Sequence, residues 1–143
     1  MAVTWRYVPA LVAVVGFAAV AGAVPAAAAE SHTARCTADR YRADATVKYR
    51  KLDSDVYIGS VALTIDDRAG QRNRVRLAVR SDDETAFTYT SGPNVTAGPY
   101  LFDYSDNPIK VAPPDGEEIQ VEVTVEFDTK GRSETSCTAT VTI

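Results

Sequence analysis

A chain of 143 residues with 19 acidic and 15 basic side chains has room for one domain, and its balance is acidic. That charge disfavours nucleic acid, whose binders present a net basic face. One histidine and two cysteines leave little material for imidazole-dependent nucleophilic catalysis or a zinc centre.

The first 29 residues differ from all that follow. Arg6 precedes an apolar run over 8–20, and a small-residue stretch over 21–29 ends in Ala27-Ala28-Ala29. Basic start, apolar middle and Ala-x-Ala end predict a cleaved signal peptide, residues 1–29, with the cut before Glu30. The apolar run is shorter than the roughly 20 residues of a spanning helix and is bracketed by Pro9 and Pro25, so no membrane association is expected after processing. Removing 29 of 143 residues leaves 114, and losing Arg6 leaves 14 basic against 19 acidic side chains, a net charge of −5. The only tryptophan, Trp5, goes with the leader, and His32 is left beside the new terminus, where a frayed segment is expected. Secretion from a bacterium is the expected localisation.

From Glu30 onward the pattern is strict alternation, the signature of half-buried strands. Tyr41, Ala43, Ala45, Val47 and Tyr49 alternate with charged and polar neighbours. After a break at Asp53-Ser54-Asp55, Tyr57, Val61, Leu63 and Ile65 are assigned to one face. Asp66-Asp67-Arg68-Ala69-Gly70 is turn chemistry, with Gly70 expected at positive φ. Val75, Leu77 and Val79 alternate with Arg74, Arg76 and Arg80, and a polar turn leads to Phe87 and Tyr89. A Gly- and Pro-containing connection, 91–99, precedes Tyr100, Phe102 and Tyr104, and the two aromatic runs read as a hairpin. A Pro-rich connection over 106–117 follows. Ile119, Val121, Val123, Val125 and Phe127 alternate with acidic and polar residues, and after a turn at Thr129-Lys130-Gly131-Arg132 a last strand runs to Ile143.

Many short strands with one wet face each predict an all-β fold, a single antiparallel β-sandwich over 30–143. An immunoglobulin-like Greek key is the first expectation and a small β-barrel the alternative. Cys36 and Cys137, near the two ends of that domain, are expected to form one disulfide in an exported chain.

Function is read from what remains. Asp53/Asp55, Asp66/Asp67, Asp82/Asp83/Glu84 and Asp103/Asp106 are candidates by type for carboxylate chemistry, and as turn formers they argue weakly for it. No catalytic residue, metal ligand or cofactor is assigned. Two features suit binding. Arg72, Arg74 and Arg76 belong to a basic strand facing an acidic one, where cross-strand pairing competes with an anion-gripping role. Tyr89, Tyr100 and Tyr104, with Pro93 and Asn94 at the loop between them, form an aromatic cluster that serves either the core or recognition. The expected function is a secreted non-catalytic binding module whose partner is an extracellular protein or cell-wall polymer. An inhibitor of a secreted enzyme such as a protease is the alternative, and a small carboxylate-based hydrolase is a second. Oligomeric state is not set by the sequence.

Overall fold

The computed structural model describes residues 27–82, 84–114 and 117–143, so all but the last three residues of the expected leader over 1–29 lie outside the described residues. Among those described, the regular structure is all strand: β1 (Glu30–Ala38), β2 (Tyr41–Leu52), β3 (Asp55–Ile65), β4 (Arg74–Ser81), β5 (Glu84–Thr90), β6 (Gly98–Asp103), β7 (Ile109–Val111), β8 (Ile119–Phe127) and β9 (Thr135–Thr142). No helix among them is long and apolar enough to cross a membrane.

Alternation builds the strands, and short turns fix their pairing. β1–β2, β2–β3 and β4–β5 are antiparallel hairpins with two-residue connections. Each connection opens on an aspartate in left-handed backbone: Asp39 and Asp53 at φ 54° and Asp82 at φ 53°. Asp tolerates that region better than most residues, because its short side chain bonds the local backbone. The longer β8–β9 turn uses Lys130 at φ 55° and Gly131 at φ 89° instead.

The strands form two sheets. One runs β1-β2-β3-β6, with the short β7 pairing the first part of β3; the other runs β5-β4-β8-β9. The chain passes between them after β3, after β5 and after β7. Their inner faces stack Tyr49, Ile58, Leu63 and Ile65 against Leu77, Ile119, Val121 and Val123, all almost completely buried. This is the expected sandwich; the two open sheets replace the barrel alternative.

Cys36 on β1 and Cys137 on β9 form the expected disulfide, with Cα atoms 5.6 Å apart. It joins outer strands of opposite sheets and clamps one lateral side of the sandwich. Such a bond belongs to an oxidising, non-cytoplasmic environment. Linking residues 101 positions apart stabilises the fold by about 4.7 kcal/mol in the chain-entropy model.

Four local expectations change. The β2–β3 register steps from Lys48↔Ser60 to Tyr49↔Ile58, so Gly59 is an extra residue in a bulge. One inserted residue reverses the side-chain phase, which buries Val56 and Ile58 and turns Tyr57 outward, off the face shared by Val61, Leu63 and Ile65. Gly70 is not at positive φ; a Cβ there would fall 1.9 Å from Asp128 Oδ2, so its role is close approach. His32 is not frayed. It sits in β1 opposite Val47, with its ring edge-on to Tyr49 at 5.5 Å and Nδ1 3.3 Å from the Thr142 carbonyl. Residues 109–111, read as loop, are β7, because Ile109 and Val111 bury against the core.

One fully buried polar residue ties three connections together. Asn73 donates from Nδ2 to the carbonyls of Gly70 and Val95, both at 2.9 Å, and its Oδ1 accepts from the Asp128 N–H at 2.8 Å. Its backbone exchanges 3.0 Å hydrogen bonds with Val95 in both directions. Removing the amide strands several buried polar groups at once, at about 1–3 kcal/mol for each group left without water or partner. Asn73→Ala is expected to lower unfolding stability by about 2–4 kcal/mol in urea titration.

Candidate functional site

Opposite the disulfide-clamped side, the sandwich is closed only by side chains. There β5 is the outer strand of one sheet and β6 the outer strand of the other. Alternation turns Phe87 and Tyr89 of β5 toward Tyr100 and Phe102 of β6 and Tyr104 just beyond it. The rings meet edge to face: Tyr89 on Phe102 at 5.4 Å, Tyr100 on Phe102 at 4.9 Å, and Phe87 on Tyr104 at 5.6 Å. Aromatic pairs at these spacings add about 0.5–1.5 kcal/mol beyond their burial.

The two aromatic runs are therefore not a hairpin. They lie on different sheets, and 91–97 is a crossing connection. That connection is held down: Ser91 is buried, donates its N–H to the Val75 carbonyl and accepts the Val75 N–H on Oγ, both at 2.8 Å, while Val95 is bonded to Asn73. Pro93 and Asn94 are left exposed at its crest.

The cluster is neither pure core nor pure surface. Phe102 is buried, Tyr100 and Tyr104 are half-buried, and Tyr89 is 39% exposed. Burial pushes the Tyr100 and Tyr104 hydroxyls above the ordinary phenol value, and the neighbouring Tyr89 hydroxyl adds to both shifts. The neutral, hydrogen-bonding form of these phenols is thus the one presented at neutral pH. Phe87, Phe102 and the outward Leu101, 58% exposed, complete the site and were not singled out as binding residues from sequence. Only the odd-even spacing of 87–89 and 100–104 carries a signal for the two phenylalanines; Leu101 has none.

The arginines fall elsewhere in role. Arg74 pairs with Glu126 at 3.5 Å and Arg80 with Glu122 at 3.2 Å, as cross-strand neighbours on the outer face of the β5-β4-β8-β9 sheet. Arg72 contributes its backbone N–H to Asp128 Oδ2 at 3.1 Å. Arg76 makes no ion pair with a described residue; it stands between Thr124 of β8 and Thr90 of β5, beside the aromatic side. The structure thus brings Tyr89, Tyr100 and Tyr104 together, with Arg76 behind them, and places Pro93 and Asn94 on the adjoining crest.

Of the candidate carboxylates, Asp55, Asp66 and Asp103 are engaged separately, and Asp83 lies outside the described residues. Asp55 holds Lys110 at 2.8 Å, and Asp103 accepts the Ser105 N–H at 2.9 Å. Asp66 grips the Arg68 guanidinium and backbone N–H, which holds its carboxyl well below the usual range. No grouping of three or more His, Cys, Asp or Glu among the described residues could hold a metal ion. A hollow of about 560 Å³ on the outer face of the other sheet lies over Gly59, between Tyr57, Arg50 and Pro108, but Ala27 and Ala29 form part of its rim. Both precede the expected cut, so that wall would leave with the leader.

Comparison with protein-family models, with curated proteins and with solved structures gave no significant match to this chain.

Two measurements check these electrostatics. Tyr100 is expected to titrate above the ordinary value of about 10, and Tyr89→Phe to bring it down toward that value, read from the tyrosine ring-carbon NMR shifts. Asp66 has a depressed folded-state pKa, so its contribution is complete above its unfolded value, about 3.9, and is lost as pH falls below it. Asp66→Asn is expected to flatten the acid limb of the stability profile between about pH 4 and pH 2, measured by urea titration at each pH.

Proposed function

We propose that this chain is a secreted, non-catalytic interaction module that recognises an extracellular protein or cell-wall polymer through the β5–β6 side. The observation that carries the reading is the partly exposed row of tyrosines on the one lateral side with no covalent clamp. Tyrosine gives large contact area and a hydroxyl at small entropic cost, and a pre-ordered surface loses little freedom on binding. The pinned 91–97 connection supplies that order next to the rings.

Export is supported by the leader pattern over 1–29 together with the disulfide. An immunoglobulin-like Greek key is supported by the strand order, with β2, β3 and β6 adjacent in one sheet and β5, β4, β8 and β9 in the other. The absence of catalysis is supported by Asp55, Asp66 and Asp103, each bound to its own neighbour. Bacterial origin rests on the composition alone.

A second reading, inhibition of a secreted protease, is favoured by one feature: exposed Pro93 and Asn94 in a connection whose flanks are fixed by Ser91, Val95 and Asn73. A loop so held resists the unfolding that cleavage requires.

Binding to cell-wall material and to culture-fluid proteins tests the first reading. Micromolar or tighter binding is expected, weakened about tenfold or more by Tyr89→Ala, the loss typical of a central aromatic contact. No partner in either material would count against it. Incubation with secreted proteases decides the second, where rapid cleavage within 91–97 without inhibition removes it.

A further inference from the structure

The side that carries the tyrosines also carries an unguarded sheet edge, and β5 is that edge. Every position of β5 is exposed except Phe87, which is half-buried, and among the described residues its only ladder is with β4. A free edge presents unpaired backbone donors and acceptors, which natural proteins protect with charge, proline, bulges or a cover. β1 and β6 have such protection in their own sequence, and β9, which has neither charge nor proline, lies on the side tied to β1 by the disulfide and by the His32–Thr142 contact. β1 carries Glu30, His32 and Arg35 and is clamped to β9, while β6 begins at Gly98-Pro99 and ends at Asp103. β5 has one bulge at its start, where the register steps from Val79↔Phe87 to Arg80↔Thr85, and then no charge and no proline through Thr90.

The direction of the free groups follows from one hydrogen bond. Ser91 donates its N–H to the Val75 carbonyl, so Ser91 faces β4. Hydrogen-bonding direction alternates along an antiparallel strand, which turns Tyr89 and Phe87 toward β4 and Thr88 and Thr90 toward the empty edge. A two-fold axis at Thr88 then has consequences that fit the sequence. Thr88 meets Thr88 of the second copy as a pair exchanging both backbone bonds, and Thr90 lies opposite Ala86 of that copy. Phe87 falls opposite Tyr89 of the second copy, at the closer, non-hydrogen-bonded spacing where aromatic cross-strand pairs stabilise most.

Charge agrees with the same arrangement. The β4–β5 turn is acidic, with Asp82 and Glu84, and the opposite end of the hairpin carries Arg74 and Arg76, the latter without an ion pair among described residues. Antiparallel pairing of two copies runs the acidic end of each toward the basic end of the other. Parallel pairing sets like ends together.

We propose that β5 is a strand-addition site whose occupant is a second copy of this chain, joined about a two-fold axis at Thr88 into one continuous eight-stranded sheet. This rests on the reading of the β5–β6 side as an interaction surface and names its partner.

Sedimentation velocity on the purified protein, from micromolar to millimolar concentration, tests it. A dimer is expected. Thr88→Pro removes a donor that faces the free edge and leaves the β4 ladder intact, and Thr88→Lys sets two like charges face to face at the axis. Thr88→Pro is expected to weaken dimerisation about tenfold or more, as the loss of one bond per copy implies, and Thr88→Lys to weaken it by repulsion of the facing charges, with thermal unfolding confirming that both variants fold. Thr140→Lys, on the exposed face of β9, is expected to leave the dimer unchanged. Thr88→Cys is expected to form a covalent dimer on mild oxidation, which reads the register directly. A monomer throughout the range, or a dimer indifferent to both Thr88→Pro and Thr88→Lys, overturns the pairing. Binding of wall or culture-fluid partners that depends on Tyr89 would survive that result, so the two readings fail separately.

Discussion

Every backbone N–H and C=O at the border of a β-sheet needs a partner or water, and a two-sheet sandwich has four such borders. This chain handles its two lateral sides by different means. On one, β1 and β9 are held together by Cys36–Cys137 and by the contact from His32 to the Thr142 carbonyl. On the other, β5 and β6 meet through interlocked aromatic rings and the pinned 91–97 connection. A covalent clamp fixes its side and offers little to a partner. A side closed by rings keeps hydroxyls, ring edges and strand backbone accessible, so the division between a sealed and a receptive side follows from how each pair of edges is satisfied.

The receptive side keeps its shape because of what lies beneath it. The crossing connection after β5 has to leave one sheet and reach the other, and a loop of that kind is ordinarily the most mobile part of a small sandwich. Here the buried Asn73 amide bonds it to the turns at Gly70 and Asp128 at once. Gly70 is needed because Asp128 occupies the space a side chain would take. The same few atoms fix three turns, so the aromatic side inherits the rigidity of the core.

Most of the fold was legible in the sequence because period-two alternation survives wherever a strand has one wet face. Tyr41 to Tyr49, Val75 to Val79 and Ile119 to Phe127 are buried on the face their spacing indicates. The pattern failed where a single residue intervened: Gly59 reversed the phase of β3, and alternation cannot register an insertion whose partner strand is unknown. It also failed on pairing. Two aromatic runs separated by a Gly-Pro connection read as a hairpin, yet the bonds of Ser91 and Val95 to distant Val75 and Asn73 carry the chain to the other sheet. Long-range hydrogen bonds of that kind leave no local signature. The tyrosines of the site were therefore visible as a group, while their arrangement across two sheets was not.

A strand bearing Arg74, Arg76 and Arg80 beside one bearing Glu122 and Glu126 looks, in sequence, like two opposed binding faces. In register, Arg74 and Glu126 are opposite each other, and Arg80 reaches Glu122 on the diagonal. Exposed pairs of this kind contribute about 0.2–1 kcal/mol each and spend most of their field on one another. The outer face of that sheet is thereby made nearly self-sufficient, and the exception is informative. Arg76 has threonines on both sides, Thr124 of β8 and Thr90 of β5, and so its charge is left for whatever approaches the β5 edge. Strand backbone, the exposed part of Tyr89 and the Arg76 guanidinium all lie at that one border, which is why the proposed recognition is placed on the side of this sandwich rather than on its faces.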